Sequence, residues 1–196
     1  MVGKILSDRD YILVSHSPRR RQLLEGLGLQ FRLAESSAEE VCPAHLKREE
    51  IPLYLSNLKA EGCVVDDMTE KSLLIAADTI VWAGGKALGK PHDAAEAREM
   101  LQTLSGKTHE VITGVTLKSL TAKRQFHNVS KVTFADLDDD EVDYYIRQYR
   151  PFDKAGAYGI QEWIGLMGVK GIEGCFYNVM GLPVQHLYAE LKKWAD

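Results

Sequence analysis

The chain lacks any apolar run that could cross a bilayer: its longest stretches, such as Leu73 to Ala77, fall far short of the ~20 residues a membrane helix needs. Its N-terminal residues carry no apolar core of the signal-peptide kind, so a cytoplasmic location is expected. Cysteine is scarce. Cys42, Cys63 and Cys175 are odd in number, widely spaced and unpaired in any zinc-type motif, which excludes a disulfide framework or thiolate centre and predicts free thiols. Positive charge is not in excess, with 24 Lys and Arg against 28 Asp and Glu and a net charge of −4, so general coating of nucleic acid is excluded and any basic patch must be local. Low-complexity linkers and internal repeats are also missing, which predicts one domain over residues 1–196. What remains, 45% hydrophobic and 27% charged residues, is the composition of a globular protein large enough to bury a substantial core.

Residues 12–21, Ile-Leu-Val-Ser-His-Ser-Pro-Arg-Arg-Arg, run from an apolar strand through two serines into a helix start with three arginines. Ser17 suits the N-cap and Pro18 the first helical position, Leu23, Leu24 and Leu27 give one apolar face, and Gly28 ends the helix. The free backbone N–H groups there, the hydroxyls of Ser15 and Ser17 and the guanidinium groups of Arg19, Arg20 and Arg21 are expected to converge where the strand ends. An open α/β sheet places anionic ligands at that point, and a phosphate site is predicted. Read locally, the same arginines also suit the solvated face of an amphipathic helix.

Along the rest of the chain the elements alternate. A short strand is predicted over 31–35, then the acidic bend Glu39-Glu40, then a helix over 51–61 with Pro52 early and Leu55 and Leu58 on its inner face. Residues 72–81 give the strongest buried-strand signal, and Ala83-Gly84-Gly85-Lys86 reads as a tight turn that brings Lys90 back toward Asp78. Asp93 with Glu96, and Asp138 with Glu141, each mark a capped helix start. The first helix buries Ala97, Met100, Leu101 and Leu104, and the second presents Val142, Tyr145, Ile146 and Tyr149 before Pro151. Two strands, 110–118 and 125–135, lie between them as a hairpin, and a last helix carries Val184, Leu187, Leu191 and Trp194 as core. The acidic run 136–143 lacks calcium-loop spacing and reads as the solvated start of its helix.

Some polar residues do not fit these elements as packing. Asp78 interrupts an apolar strand, where a carboxylate without a partner is costly, so it calls for a cation: a salt-bridge partner, a metal ion, or the surroundings of a general base. Glu40 taken alone reads as surface. Lys90 precedes Pro91 and is held extended, and Asp153 to Gln161 form a loop whose small residues let backbone approach a ligand closely.

Taken in order, Ser15-His16-Ser17-Pro18-Arg19-Arg20, Glu39-Glu40, Ala77 to Val81, Lys90-Pro91, Leu104 to His109, Asp153 to Gln161 and Gly181-Leu182-Pro183 resemble the Maf family across nearly the whole chain. Each motif is short, and the ordered set is specific. It is similar to the branch described as dTTP/UTP pyrophosphatases, which convert a nucleoside triphosphate and water to the monophosphate and pyrophosphate. The resemblance implies an α/β fold of the Maf and inosine-triphosphatase type: a long, twisted, mixed sheet flanked by helices, with two lobes around a central cleft. It also implies a homodimer, Asp78 as proton acceptor, and Arg20, Thr79 and Gln161 as the residues that choose uracil or thymine. Two positions depart from the family pattern, His16 where a small residue is usual, and Gly174-Cys175-Phe176 in place of Gly-Ser-Tyr. Cys175 reads as a packed thiol, since no base is recognisable beside it.

Hydrolysis between the α- and β-phosphates needs an aimed water, neutralised phosphate oxygens and a held leaving group, so acidic and basic groups must coexist. Glu40 and Asp78 are the candidate ligands of a divalent Mg²⁺ or Mn²⁺, and Arg19, Lys59 and Lys90 are expected to face the triphosphate, with Ser15 and Ser17 beside them. A nucleotide-binding regulator of septum formation without turnover is the alternative that the resemblance leaves open. A nucleic-acid module built on Arg19 to Arg21 is disfavoured by the acidic overall charge.

Overall fold

A computed structural model describes residues 8–194, so the signal-peptide reading, which rests partly on residues 1–7, lies in part outside the described residues. The buried-strand signal at 72–81 becomes β3 (Ser72–Ala83), the centre of a seven-stranded mixed sheet. β1 (Asp10–Val14) lies parallel to β3 and to β2 (Phe31–Ala34), and β4 (Lys86–Leu88) returns antiparallel along β3 after the Gly84-Gly85 turn. Both turn glycines have positive φ, 58° and 81°, which suits the tight two-residue hairpin. On the other side β5 (Thr108–Lys118), β6 (Lys123–Phe134) and β7 (Val169–Glu173) continue antiparallel, giving the order β2-β1-β3-β5-β6-β7.

Helices cover both faces. α1 (Pro18–Gly26) begins at Ser17, whose hydroxyl accepts from Arg20 N, and Gly28 follows its end at φ 79°. α2 spans Glu50–Glu61, α3 Ala94–Leu104 and α4 Asp139–Tyr149. The start of α4 is a full capping box of Asp138 and Glu141. At α3, Asp93 caps Glu96 N while the Glu96 carboxylate reaches one residue further back, to His92 N. α5 (Trp163–Gly168) and α6 (Phe176–Met180) are short, and α7 (Val184–Trp194) closes the chain by burying Leu187 and Leu191.

The inner face of α2 differs from the expectation. Ile51, Pro52, Ser56 and Ala60 are buried, whereas Leu55 and Leu58 are only partly so. A Cβ added at Gly114 of β5 would sit 2.4 Å from the Pro52 carbonyl carbon, so helix and strand meet backbone to backbone, and small residues make that contact. The Ser56 hydroxyl bonds Thr116 across it at 3.0 Å.

The core divides along β3. Leu73, Ile75 and Ala77 pack with Leu24, Val115 and Leu187 in one cluster, and Val81 packs with Leu101, Phe134, Tyr145 and Ile164 in another. Two lobes thus share one sheet, and the chain between Ala77 and Val81 lies where they meet. No helix among the described residues is long and apolar enough to cross a membrane.

Candidate active site

β3 outruns its parallel neighbour. β1 pairs with it only as far as Val14 opposite Ala76, and β4 takes up the same edge only from Val81, opposite Leu88. Residues 77–80 therefore have no strand on that edge, while β5 remains paired on the other, Thr113 opposite Thr79 and Gly114 opposite Asp78. This notch at the end of β1 is the floor of a cleft of about 640 Å³. Ser15, Ser17, Arg19, Arg20, Glu40, Lys59, Asp78, Thr79, Lys90 and Gln161 all line it.

Successive strand residues face opposite sides of a sheet, so Asp78 and Thr79 serve different walls. Asp78 turns toward α2, where Lys59 Nζ donates to its Oδ1 at 2.5 Å and lies 3.0 Å from Glu40 Oε2. The Lys59 and Asp78 side chains are each 14% exposed, against 53% for Glu40. The cation that Asp78 calls for is thus present as an ammonium, gripped by two carboxylates from separate segments. Two converging hard oxygens also fit Mg²⁺ or Mn²⁺, which take few protein ligands and complete their shell with water and phosphate oxygens. Among the described residues no group of three or more His, Cys, Asp or Glu forms a complete cage, so substrate would have to supply the rest.

Thr79 turns to the other wall. Its Oγ1 accepts from Arg20 Nη2 at 3.0 Å and meets Thr113 Oγ1 at 2.9 Å, while Arg20 also donates to the Gly181 carbonyl at 2.9 Å and to Ser15 Oγ at 3.4 Å. Burial is the largest influence on the Arg20 guanidinium and pulls its pKa below the usual value, against the pull of Asp78. No carboxylate bonds it directly among the described residues, and a partly buried cation held by neutral oxygens is suited to an anionic ligand. Lys90 and Gln161 are exposed, line the cleft and make no hydrogen bond among the described residues.

The three arginines separate. Arg19 lies 2.9 Å from Asp153 Oδ2, Arg20 enters the cleft, and Arg21 pairs with Glu25 on the outer surface of α1. The expected convergence of all three therefore fails at Arg21, because the helical rotation carries its side chain to solvent. Gln161 is likewise not fixed by Arg20 or Thr79, which spend their bonds on each other, on Ser15, Thr113 and Gly181. His16 lines the cleft at its rim beside Glu35, 3.6 Å away, with side chains 75% and 79% exposed.

Sequence reasoning missed part of the third wall. Lys154, 8% exposed in its side chain, lies 2.7 Å from Asp153 and 3.1 Å from Glu162, and the Tyr145 hydroxyl donates to Glu162 while accepting from Gly159 N. Burial raises the Asp153 carboxyl, but Lys154 and Arg19 outweigh it and hold it below the ordinary range. A signal existed in the adjacent Asp153-Lys154 at the head of a glycine-rich loop. His109 is buried outside the cleft, its Nε2 bonded at 2.8 Å to the hydroxyl of Tyr158, which lines the cleft. The three cysteines are free, and burial lifts the Cys42 and Cys63 thiols above their usual pKa.

Comparison with known proteins agrees with this geometry. The family model described as Maf-like protein matches residues 10–194. A dTTP/UTP pyrophosphatase of Phocaeicola vulgatus is 57% identical over 183 residues, covering 93% of this chain and 94% of that one. Proteins of the same name from Porphyromonas gingivalis and Bacteroides thetaiotaomicron are 52% and 51% identical, covering 94% and 98% of this chain and 94% and 100% of theirs. The solved structure of the Staphylococcus aureus Ham1 protein shares the fold, with a TM-score of 0.50 at 13% identity, covering 95% of this chain and all of that one. With a family model spanning both lobes and relatives half identical from end to end, the chain belongs to the Maf family.

Proposed function

We propose that the protein hydrolyses nucleoside triphosphates, with dTTP and UTP preferred, to the monophosphate and pyrophosphate. The observation that carries this reading is the pair of carboxylates, Glu40 and Asp78, closing on one cation at the notch of β3, with Arg19, Arg20 and Lys90 lining the same cleft. The names of the half-identical relatives support the substrate preference.

Bound divalent metal, held by Glu40 and Asp78, would supply charge neutralisation at the phosphate oxygens and acidify water. The chain's own groups do the rest. Asp78 accepts the proton of the water that attacks the α-phosphorus, the α-β anhydride bond breaks, and the electron pair leaves with pyrophosphate. Arg19 and Lys90, with Ser15 and Ser17, hold the charge that grows there. Lys59 sets the position of Asp78. Gln161, Arg20 and Thr79 face the base, and a homodimer belongs to the same proposal. Pyrophosphate release from dTTP, UTP, CTP, ATP and GTP, with and without Mg²⁺ or Mn²⁺, tests it. Metal-dependent release fastest with dTTP and UTP is expected. Absence of release, or faster turnover of GTP than of UTP, would overturn it.

A further inference from the structure

Thr113 lies on β5, is fully buried and does not line the cleft, yet its hydroxyl meets that of Thr79 at 2.9 Å. We infer that Thr113 fixes the polarity of the Thr79 hydroxyl and thereby makes the site select bases with an N3–H, uracil and thymine, over cytosine. The inference rests on the base assignment in the proposed function and names a residue that acts through another.

The argument is a count of protons. Thr79 and Thr113 have one hydroxyl proton each, and the surrounding acceptors are the two hydroxyl oxygens, the Asn178 carbonyl 3.1 Å from Thr113 and the Gly181 carbonyl 3.4 Å from Thr79. Two arrangements exist. In one, Thr79 donates to Thr113, which donates to the Asn178 carbonyl. In the other, Thr113 donates to Thr79, which donates to the Gly181 carbonyl. The first uses the shorter bonds, 2.9 and 3.1 Å, and is favoured, since bonds weaken toward 3.5 Å.

Arg20 Nη2 donates to Thr79 in either arrangement, because a guanidinium cannot accept. In the favoured one, Thr79 has given away its proton and keeps one lone pair, so toward a ligand it is an acceptor only. Uracil and thymine offer a donor at N3, whereas cytosine offers an acceptor there and meets a lone pair. Gln161 cannot make this distinction alone, because its amide is exposed, bonds nothing and turns to suit either base. The fixed polarity comes from the buried side of the sheet.

The test compares kcat/KM for UTP and CTP in the wild type, Thr113→Val and Thr113→Ser. Valine removes the hydroxyl while the Asn178 carbonyl keeps its bond from Gly181 N at 3.0 Å, so no buried carbonyl is orphaned. The Thr79 proton then keeps only the long 3.4 Å bond to the Gly181 carbonyl, which is weak enough to be given up for the N3 lone pair of cytosine. The UTP-over-CTP ratio is expected to fall by about fivefold or more in Thr113→Val, the worth of one neutral hydrogen bond, chiefly through faster CTP hydrolysis, and to return in Thr113→Ser. If the valine variant melts below the assay temperature, Thr113→Ala reads the same ratio without the added methyl. An unchanged ratio with both substrates slowed alike, or a serine variant as unselective as the valine one, would overturn the inference. A wild type that turns over UTP and CTP equally would overturn the base assignment itself and this inference with it.

Discussion

Asp78→Asn separates the chemistry of the cleft from its architecture. Asparagine keeps the shape and an oxygen that still accepts from Lys59, but it removes the group assigned to take the proton of water, which is worth about 10²- to 10⁴-fold in turnover. Removing one partner of a buried ion pair costs about 3–5 kcal/mol where the remaining charge is stranded. Here Lys59 is not stranded, because Glu40 Oε2 stays 3.0 Å away. The cost should then be about 1–2 kcal/mol, or roughly 2–4 °C in melting temperature per kcal/mol for a chain of this size. Pyrophosphate release at saturating UTP with Mg²⁺, beside a thermal melt of the same sample, measures both. Turnover within about tenfold of wild type would refute the assignment of Asp78 as proton acceptor. Loss of activity together with collapse of the fold would refute the separation argued here.

Glu40→Gln should lower turnover in the same direction and raise the Mg²⁺ concentration needed for half-maximal rate, and an unchanged metal requirement would exclude it as a ligand. Arg19→Ala and Lys90→Ala should each lower kcat/KM for triphosphates by about 10- to 100-fold, as expected for lost charge at a transferring phosphoryl group, and equal rates would return both to the solvated surface. Gln161→Ala should lower kcat/KM for UTP and CTP by similar factors, because its unheld amide suits either base, and a substrate panel in which the UTP-over-CTP ratio collapsed would show that the amide does discriminate. Burial depresses the pKa of His109 from 6.5 to about 4, so its neutral form belongs to the fold. Its stabilisation is complete above pH 6.5 and is lost as pH falls toward 4, on the order of 3 kcal/mol in all. Melts across that range should slope less in His109→Gln, and an identical acid slope would assign the loss to other groups.

Much of the site was legible because local polarity conflicts with local pattern. Asp78 shows as a charge inside an apolar strand, Ser17 and Pro18 as a helix start, and Gly84-Gly85 as the turn that returns Lys90. Lys59 was named because the chemistry needs basic groups facing the triphosphate and not from the periodicity of α2, and the structure shows why. That helix meets β5 at Gly114, where close approach admits only small residues such as Ser56 and Ala60, so the larger Leu55 is pushed to the cleft wall. Hydrophobic size then points to the wrong face. β7 escaped notice because it is an edge strand with Gly171 and exposed Lys170, paired to β6 across an irregularity at Thr133 and Phe134. α5 and α6 are single short turns whose N-caps make no side-chain bond, so neither carries a start signal.

The notch explains how two neighbours on one strand can serve one ligand. In the middle of a sheet, Asp78 and Thr79 would look into separate layers, each closed off from the other by the flanking strands. Because β1 stops opposite Ala76 and β4 begins only opposite Val81, the edge between them is open, and both side chains border the same cleft. β5 repeats the alternation from below: Gly114 lies under α2 on the Asp78 side, and Thr113 bonds the Asn178 carbonyl of α6 on the Thr79 side. A slip of one residue between β3 and β5 would exchange both pairs at once, putting a threonine where α2 needs bare backbone. The unbroken pairing from Leu74 to Trp82 prevents that slip. The length of β3 beyond β1, more than any single side chain, is what joins the reacting end of the cleft to the end assigned to the base.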